Sequence, residues 1–281
     1  MRALLAEQRQ ADLERMAREG VDVLVIGGGI TGAGVALDAA TRGYRVGLVE
    51  KDDFASGTSG WSTKLVHGGI RYLPQGDVAL VREALIERGR LLANAPHLVH
   101  PLRFVLPLYA SSRKPVGLPV GLPGGFGLSP TLDLGLAMYD MLAGRQNVAR
   151  HRRINRAEVM RLAPCLRPDG LRTGFLYYDG QTDDTRLTLA VIRSAAEAGA
   201  LVANHATVAG FERDAGNALN AVQVRLSAPG ENGREVVIPA RHIVNATGIF
   251  AEQVEALSGE TPQLDIEPSK GVHLVLRPAD I

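Results

Sequence analysis

Gly27-Gly-Gly-Ile-Thr-Gly32 has the G-x-G-x-x-G spacing, and the chemistry open to such a run is to hold a pyrophosphate. Gly27 permits a tight turn, Gly29 lets the backbone approach the phosphates, and Gly32 lets the following helix pack closely on the strand before it. Gly28, Ile30 and Thr31 complete the run; free N–H groups and the positive end of the helix dipole favour an anion there. Glu50 lies 23 residues beyond Gly27, where an acid would take a ribose hydroxyl pair, with Lys51 beside it. Together these residues imply an adenine dinucleotide. They leave NAD and FAD open, because both present the same ADP moiety.

Such a cradle works only between particular elements, and the flanking sequence supplies them. Val21–Ile26 is a short β-branched run that reads as a buried parallel strand. A helix is expected from Ala33 to Thr41, closed by Gly43 in a left-handed cap, and a second strand over Arg45–Glu50. Leu187–Ala195 reads as an amphipathic helix with Asp183 or Asp184 as its cap and Gly199 at its end. Three strand-like pieces follow, Thr207–Arg213, Ala218–Leu226 and Val236–Ile238, joined by turn signals as an antiparallel meander. Arg241–Asn245 then returns as a buried strand ending at Ala246-Thr247-Gly248, where the backbone can pass close to a bound cofactor.

Composition narrows the remaining choices. The 281 residues carry a net charge of +1, which gives no field for a nucleic-acid backbone. Glycine is enriched, at 32 residues, about 11% against about 7% in ordinary chains. Cys165 is the single cysteine, and His97, His100, His151, His205 and His242 have no ligand spacing, so neither disulfides nor a metal site are expected. Residues 1–20 hold only the apolar run Ala3–Ala6, too short for a signal-peptide core or a spanning helix. They read as a short amphipathic helix, and the expected location is cytoplasmic. Pro115–Leu132 is free of charge but broken by prolines and glycines. It reads as an ordered apolar loop or as one dipping into the cytosolic face of a membrane.

A meander in place of a crossover helix, followed by a strand ending in Ala-Thr-Gly, resembles the FAD domains of glutathione-reductase-like flavoproteins. The stretch Thr58-Ser-Gly-Trp-Ser-Thr-Lys64-Leu-Val-His67-Gly-Gly-Ile-Arg71-Tyr72-Leu73 is more specific. It is similar to the Ser-Ser-Lys-Leu-Ile-His-Gly-Gly-Leu-Arg-Tyr-Leu signature of FAD-dependent glycerol-3-phosphate dehydrogenases. Leu136-Ala-Met-Tyr139-Asp140, Asp179-Gly-Gln-Thr-Asp-Asp184-Thr-Arg186-Leu187, Val244-Asn-Ala-Thr-Gly248 and Ser269-Lys270-Gly271-Val-His273 agree with it in order, and the resemblance runs from Asp22 to about Leu276. Family members are longer, so the chain resembles their N-terminal portion.

The resemblance implies an α/β fold: a Rossmann-like FAD-binding domain of amino-acid-oxidase type with an interleaved, incomplete α+β substrate domain. A helix over 1–20 would precede an oxidoreductase domain over 21–281. FAD-binding segments fall at about 21–100 and 180–255, and substrate segments at about 101–179 and 256–281. It implies FAD as cofactor, glycerol 3-phosphate as substrate and quinone as electron acceptor, with peripheral membrane contact. An oxidase using dioxygen and a non-catalytic FAD-binding fragment are the alternatives. His67 would take the hydroxyl proton, Arg71 would bind the phosphate through its planar fork, and Tyr72 would donate a hydrogen bond. Thr58, Ser59, Ser62, Lys64, Leu65 and Gly68, with His67, would lie along the flavin. His273 is a further substrate-site expectation.

Overall fold

The computed structural model describes residues 4, 6–110, 128–259, 265–269, 271–272 and 277. Two compact units share the chain, Met1–Thr63 with Asp184–Val272, and Lys64–Asp183 with His273–Ile281. The first unit opens with α1 (Ala6–Glu19), β1 (Val21–Ile26), α2 (Ile30–Thr41) and β2 (Val46–Val49). The second contains β3 (Leu65–Val66), α3 (Val78–Asn94), β4 (Val99–Tyr109), α4 (Leu128–Ala143), β5 (Arg152–Asn155), α5 (Arg156–Leu162) and β6 (Leu171–Thr182). The chain then returns to the first with α6 (Asp184–Glu197), β7 (Leu201–Ala203), β8 (Ala206–Arg213), β9 (Leu219–Leu226), β10 (Glu235–Asn245) and α7 (Ala251–Ala256).

The first unit is built on a six-stranded sheet of order β7-β2-β1-β10-β9-β8. β1 lies between two parallel neighbours, with Val25 opposite Leu48 on one side and Val244 on the other. Alternation along β1 then separates two cores. Leu24 and Ile26 join Leu13 and Met16 of α1 with Val222, Val224 and Ile238 of the meander. Val25 faces the other way, against Ala33, Ala36 and Ala40 of α2 and Ile192, Ala195 and Ala196 of α6. The small side chains of α2 let it lie close to both the sheet and α6.

Helix α1 is anchored by polar contacts as well as by Leu13 and Met16. The buried Asp12 carboxylate accepts the Val202 N–H at 3.1 Å, so the helix satisfies a backbone donor of the edge strand β7. Arg9 spans to Glu231 with bonds of 2.8 and 2.9 Å.

The sequence suggests separate strands at Val236–Ile238 and Arg241–Asn245, whereas the structure has one continuous β10. Its first half pairs antiparallel with β9 through Pro239 opposite Ala221, and its second half pairs parallel with β1 from Ala240 onward. Pro239, lacking an N–H, sits at this changeover of neighbours, where a missing donor is tolerated.

The second unit is a smaller sheet of order β3-β6-β4, with β5 also paired to β6. Phe175 of β6 is fully buried among Leu108, Leu132 and Leu136, and Leu85 and Val81 of α3 pack against Tyr139 of α4. Residues 64–100, assigned from sequence to the FAD-binding segments, fall in this unit, because β3 pairs with β6 and α3 packs on α4. The expected strand Gly271–Leu276 lies largely outside the described residues, as do His273 and residues 115–127 of the uncharged stretch, whose last part opens α4. Among the described residues no helix is long and apolar enough to cross a membrane.

Met16 is wholly buried under the sheet. Met16→Ala should therefore destabilise the first unit by about 2–5 kcal/mol in a denaturant titration. A shift within error would show that α1 is a dispensable appendage.

Candidate functional site

The glycine run forms the link between β1 and α2. Gly27 has φ +111°, and a Cβ there would lie 2.6 Å from the Ala246 carbonyl oxygen, so only glycine fits. A Cβ on Gly32 would collide with the Gly27 carbonyl oxygen, which forces α2 close to the end of β1. Gly29, the N-cap of α2, is extended and supplies no side-chain cap. Ser59 reaches in from the following loop instead, its Oγ accepting the Ile30 N–H at 2.9 Å.

Both carboxylate oxygens of Glu50 are held by the backbone. Oε2 accepts the Gly28 N–H at 2.7 Å and Oε1 the Asp52 N–H at 3.0 Å. The acid is thus fixed at the end of β2 with lone pairs to spare for a ribose diol. Lys51 places its Nζ 3.6 Å from the centroid of the Phe250 ring.

A cleft of about 550 Å³ opens between these parts. Gly27, Gly29, Ile30, Thr31, Glu50, Lys51, Thr58, Ser59, Ala246, Thr247 and Gly248 line it. Gly28 and Gly32 act from behind, one holding Glu50 and the other admitting α2. Ser62 hydrogen-bonds Asp184 at the head of α6. The sequence reading missed Thr207 and Val208 of β8 and Phe250; of these only Phe250, two residues past the Ala-Thr-Gly signal, was within reach of a motif argument. A shaped cleft, a glycine-only turn and a fixed acid suit an ADP-bearing cofactor.

Lys64, Leu65, His67, Gly68, Arg71 and Tyr72 belong to the second unit. Lys64 has φ +61° and its carbonyl accepts the Thr182 N–H at 3.1 Å, while Leu65 pairs with Gln181. The chain then turns at His67-Gly68-Gly69 into a 3-10 helix, Ile70–Gln75, capped by the left-handed Gly69 and Gly76. His67, Arg71 and Tyr72 are all exposed on this turn. The Gly69 N–H donates to His67 Nδ1 at 3.0 Å. The Gly68 N–H points inward, to Tyr139 Oη at 2.8 Å and Asp179 Oδ1 at 3.2 Å.

Two tyrosines beneath the turn are strongly perturbed. Burial, reinforced by the Asp179 charge, pushes the Tyr139 hydroxyl far above its ordinary value. Burial and the same charge push Tyr177 up to about 12, opposed by Arg71. Both therefore stay protonated throughout the working range. Among the described residues no group of three or more His, Cys, Asp or Glu could hold a metal.

Comparison with known proteins agrees with this architecture. The family model for FAD dependent oxidoreductases matches residues 22–281, and the chain belongs to that family. Among its relatives are the glycerol-3-phosphate dehydrogenase of Mycobacterium leprae, 42% identical over 275 residues, which are 98% of this chain and 44% of the relative. The aerobic glycerol-3-phosphate dehydrogenase of Staphylococcus saprophyticus is 40% identical over 273 residues, 97% of this chain and 46% of the relative. The chain thus spans somewhat under half the length of these two relatives. A solved glycerol-3-phosphate dehydrogenase from Bacillus halodurans, complexed with FAD, superposes with a TM-score of 0.59 at 31% identity, covering 86% of this chain and 37% of that one. The cofactor that the cleft suits is FAD.

The two glycines of the cradle should separate binding from folding. At Gly29 a Cβ meets only the Ser59 Oγ, at 3.1 Å, so Gly29→Val should lose most of its flavin while the melting temperature of the apoprotein moves by only about 2–4 °C. Gly32→Ala, which drives a methyl into backbone, should lose flavin and fold together. Full flavin content in purified Gly29→Val would contradict the pyrophosphate assignment.

Proposed function

We propose that the protein carries out FAD-dependent oxidation of sn-glycerol 3-phosphate to dihydroxyacetone phosphate, with electrons passed on to quinone. The observation that carries the reading is the grouping of His67, Arg71 and Tyr72 on one exposed turn, in a chain 40–42% identical to proteins named glycerol-3-phosphate dehydrogenases. Oxidising a secondary alcohol calls for a two-electron acceptor, which FAD supplies when bound. The remaining tasks fall to the chain itself. Arg71 binds the substrate phosphate, its fork matched to two oxygens. Tyr72 donates a hydrogen bond to the substrate. His67 manages the proton of the reacting hydroxyl. Glu50 and the glycine cradle hold the cofactor, and Thr58 and Ser59 supply hydroxyls beside it. Peripheral contact with the cytosolic face of a membrane accompanies the quinone reading.

For His67 the geometry favours a second reading. With Nδ1 accepting the Gly69 N–H, a neutral imidazole carries its proton on Nε2 and presents a donor rather than a base. Base action would require the ring to give up that bond.

Three measurements on the FAD-loaded, full-length protein test these roles. Arg71→Met should raise the KM for glycerol 3-phosphate far more than that for glycerol, which has no anion. Equal losses would remove Arg71 from phosphate binding. Under anaerobic rapid mixing, His67→Gln should slow flavin bleaching by about 10²- to 10⁴-fold if His67 is the base. If it is a donor, the Gln amide should retain most of the rate and His67→Ala should lose it. Oxygen uptake matching substrate consumption, with no reduction of a quinone analogue, would replace quinone by dioxygen.

A further inference from the structure

The most unusual chemistry outside the cofactor cleft is buried directly beneath the His67 turn. Asp179 of β6 accepts three bonds on one oxygen: from Arg88 Nη1 at 2.7 Å, from Tyr139 Oη at 2.8 Å and from the Gly68 N–H at 3.2 Å. Arg88 Nη1 also donates to the Tyr178 carbonyl at 2.9 Å. The side chains of Arg88 and Asp179 are 0% and 3% exposed. A Cβ on Gly68 would run into Leu85 and the Tyr139 hydroxyl, so the backbone of the turn lies directly on this cluster.

Stability is a poor explanation for such an arrangement. Removing a guanidinium and a carboxylate from water costs more than their attraction returns unless every remaining donor is satisfied. Here Arg88 Nε and Nη2 are buried without a hydrogen-bond partner among the described residues. An apolar trio of the same volume would pack at lower cost. What the polar trio provides, and an apolar one could not, is a directed pair of acceptors for a single backbone N–H.

We propose that Arg88, Asp179 and Tyr139 are positioning residues that fix the Gly68–Gly69 turn and, through it, the orientation of the His67 imidazole. This rests on the reading of His67 as a hydrogen-bond donor to the substrate through Nε2. The sequence of constraints is short. Arg88 holds Asp179 in place; Asp179 orients the Tyr139 hydroxyl by accepting its hydrogen bond; and the Tyr139 oxygen, with Asp179, accepts the Gly68 N–H. Gly68 held in this way leaves the next N–H, that of Gly69, pointing back at Nδ1. Nε2 is then the ring atom presented outward. The raised Tyr139 hydroxyl keeps its proton at any working pH, so the bond to Asp179 does not titrate away.

The test reads the ring itself. In the FAD-loaded protein, labelled at histidine with nitrogen-15 and held at mildly alkaline pH, His67 should show one unprotonated nitrogen, Nδ1, and one protonated nitrogen, Nε2. Comparison with His67→Gln assigns the pair. In Tyr139→Phe and Asp179→Asn the two resonances should move toward a common average as the tautomers mix. Exchange of the Gly68 and Gly69 amides should quicken, and kcat should fall, each by about ten-fold, the worth of one buried hydrogen bond, with KM little changed. Val159→Ala, which loosens the other end of β6 where Val159 packs on Ile154, Leu171 and Leu176, should leave the ring signals alone. Unchanged ring signals in Tyr139→Phe would overturn the proposal, and so would equal mixing in Val159→Ala. Should Asp179→Asn fail to accumulate, Tyr139→Phe decides alone, because it keeps the ring packing. A wild-type protein that does not oxidise glycerol 3-phosphate would refute the substrate reading, and the tautomer measurement would still decide the positioning role.

Discussion

The carbonyl oxygen of Gly27 lies where any side chain on residue 32 would have to be, and that close approach sets the position of α2 relative to the sheet. Once α2 is pressed against the end of β1, only small residues fit beneath it, which is why Ala33, Ala36 and Ala40 form its buried face. The same approach brings the start of the helix to the carboxyl edge of the parallel strands. There β2 delivers Glu50, and β10 delivers Ala246 against Gly27. The cleft therefore forms where the start of α2 meets the carboxyl ends of β1, β2 and β10, in keeping with ligand sites at the carboxyl ends of open α/β sheets.

In the second unit β6 has the organising role. It is twelve residues long and accepts β4 along one edge and β3 and β5 along the other, so residues far apart in the chain meet across it. The turn bearing His67 continues from β3, and its register is set by Val66 opposite Gly180, one residue beyond Asp179. The apolar layer of Phe175, Leu136 and Leu132 holds the sheet to α4. The charged cluster contributes direction rather than cohesion, and its incompletely satisfied guanidinium is the cost of that direction.

Much of this could be read from the chain. The strand, the glycine run, the helix, the left-handed Gly43 and the strand ending in Glu50 are local features, each fixed by residues within a few positions of one another, and all are present. The meander was legible from its turn residues. What escaped were features whose partners are distant. Arg88 lies between Glu87 and Arg90 and reads as part of a solvated helix face, because nothing nearby announces an aspartate 91 positions on. Asp12 is disguised in the same way, its acceptor role depending on Val202. β10 reads from sequence as two strands, Val236–Ile238 and Arg241–Asn245, whereas the exchange of one neighbouring strand for another at Pro239 is a tertiary fact. Ser59 was expected to serve the cofactor, but its bond to Ile30 also makes it part of the helix start.

The fixed carboxylate of Glu50 has a thermodynamic consequence. Its two oxygens are already committed to the amides of Gly28 and Asp52, so the rotamer freedom that a ribose would otherwise have to remove is lost when the sheet forms. On the proposed reading that Glu50 holds the cofactor's ribose, cofactor affinity and fold integrity share one source. Any loosening at the ends of β1 and β2 enlarges the ensemble that the ligand must reselect. It registers as faster cofactor loss well before the domain itself melts.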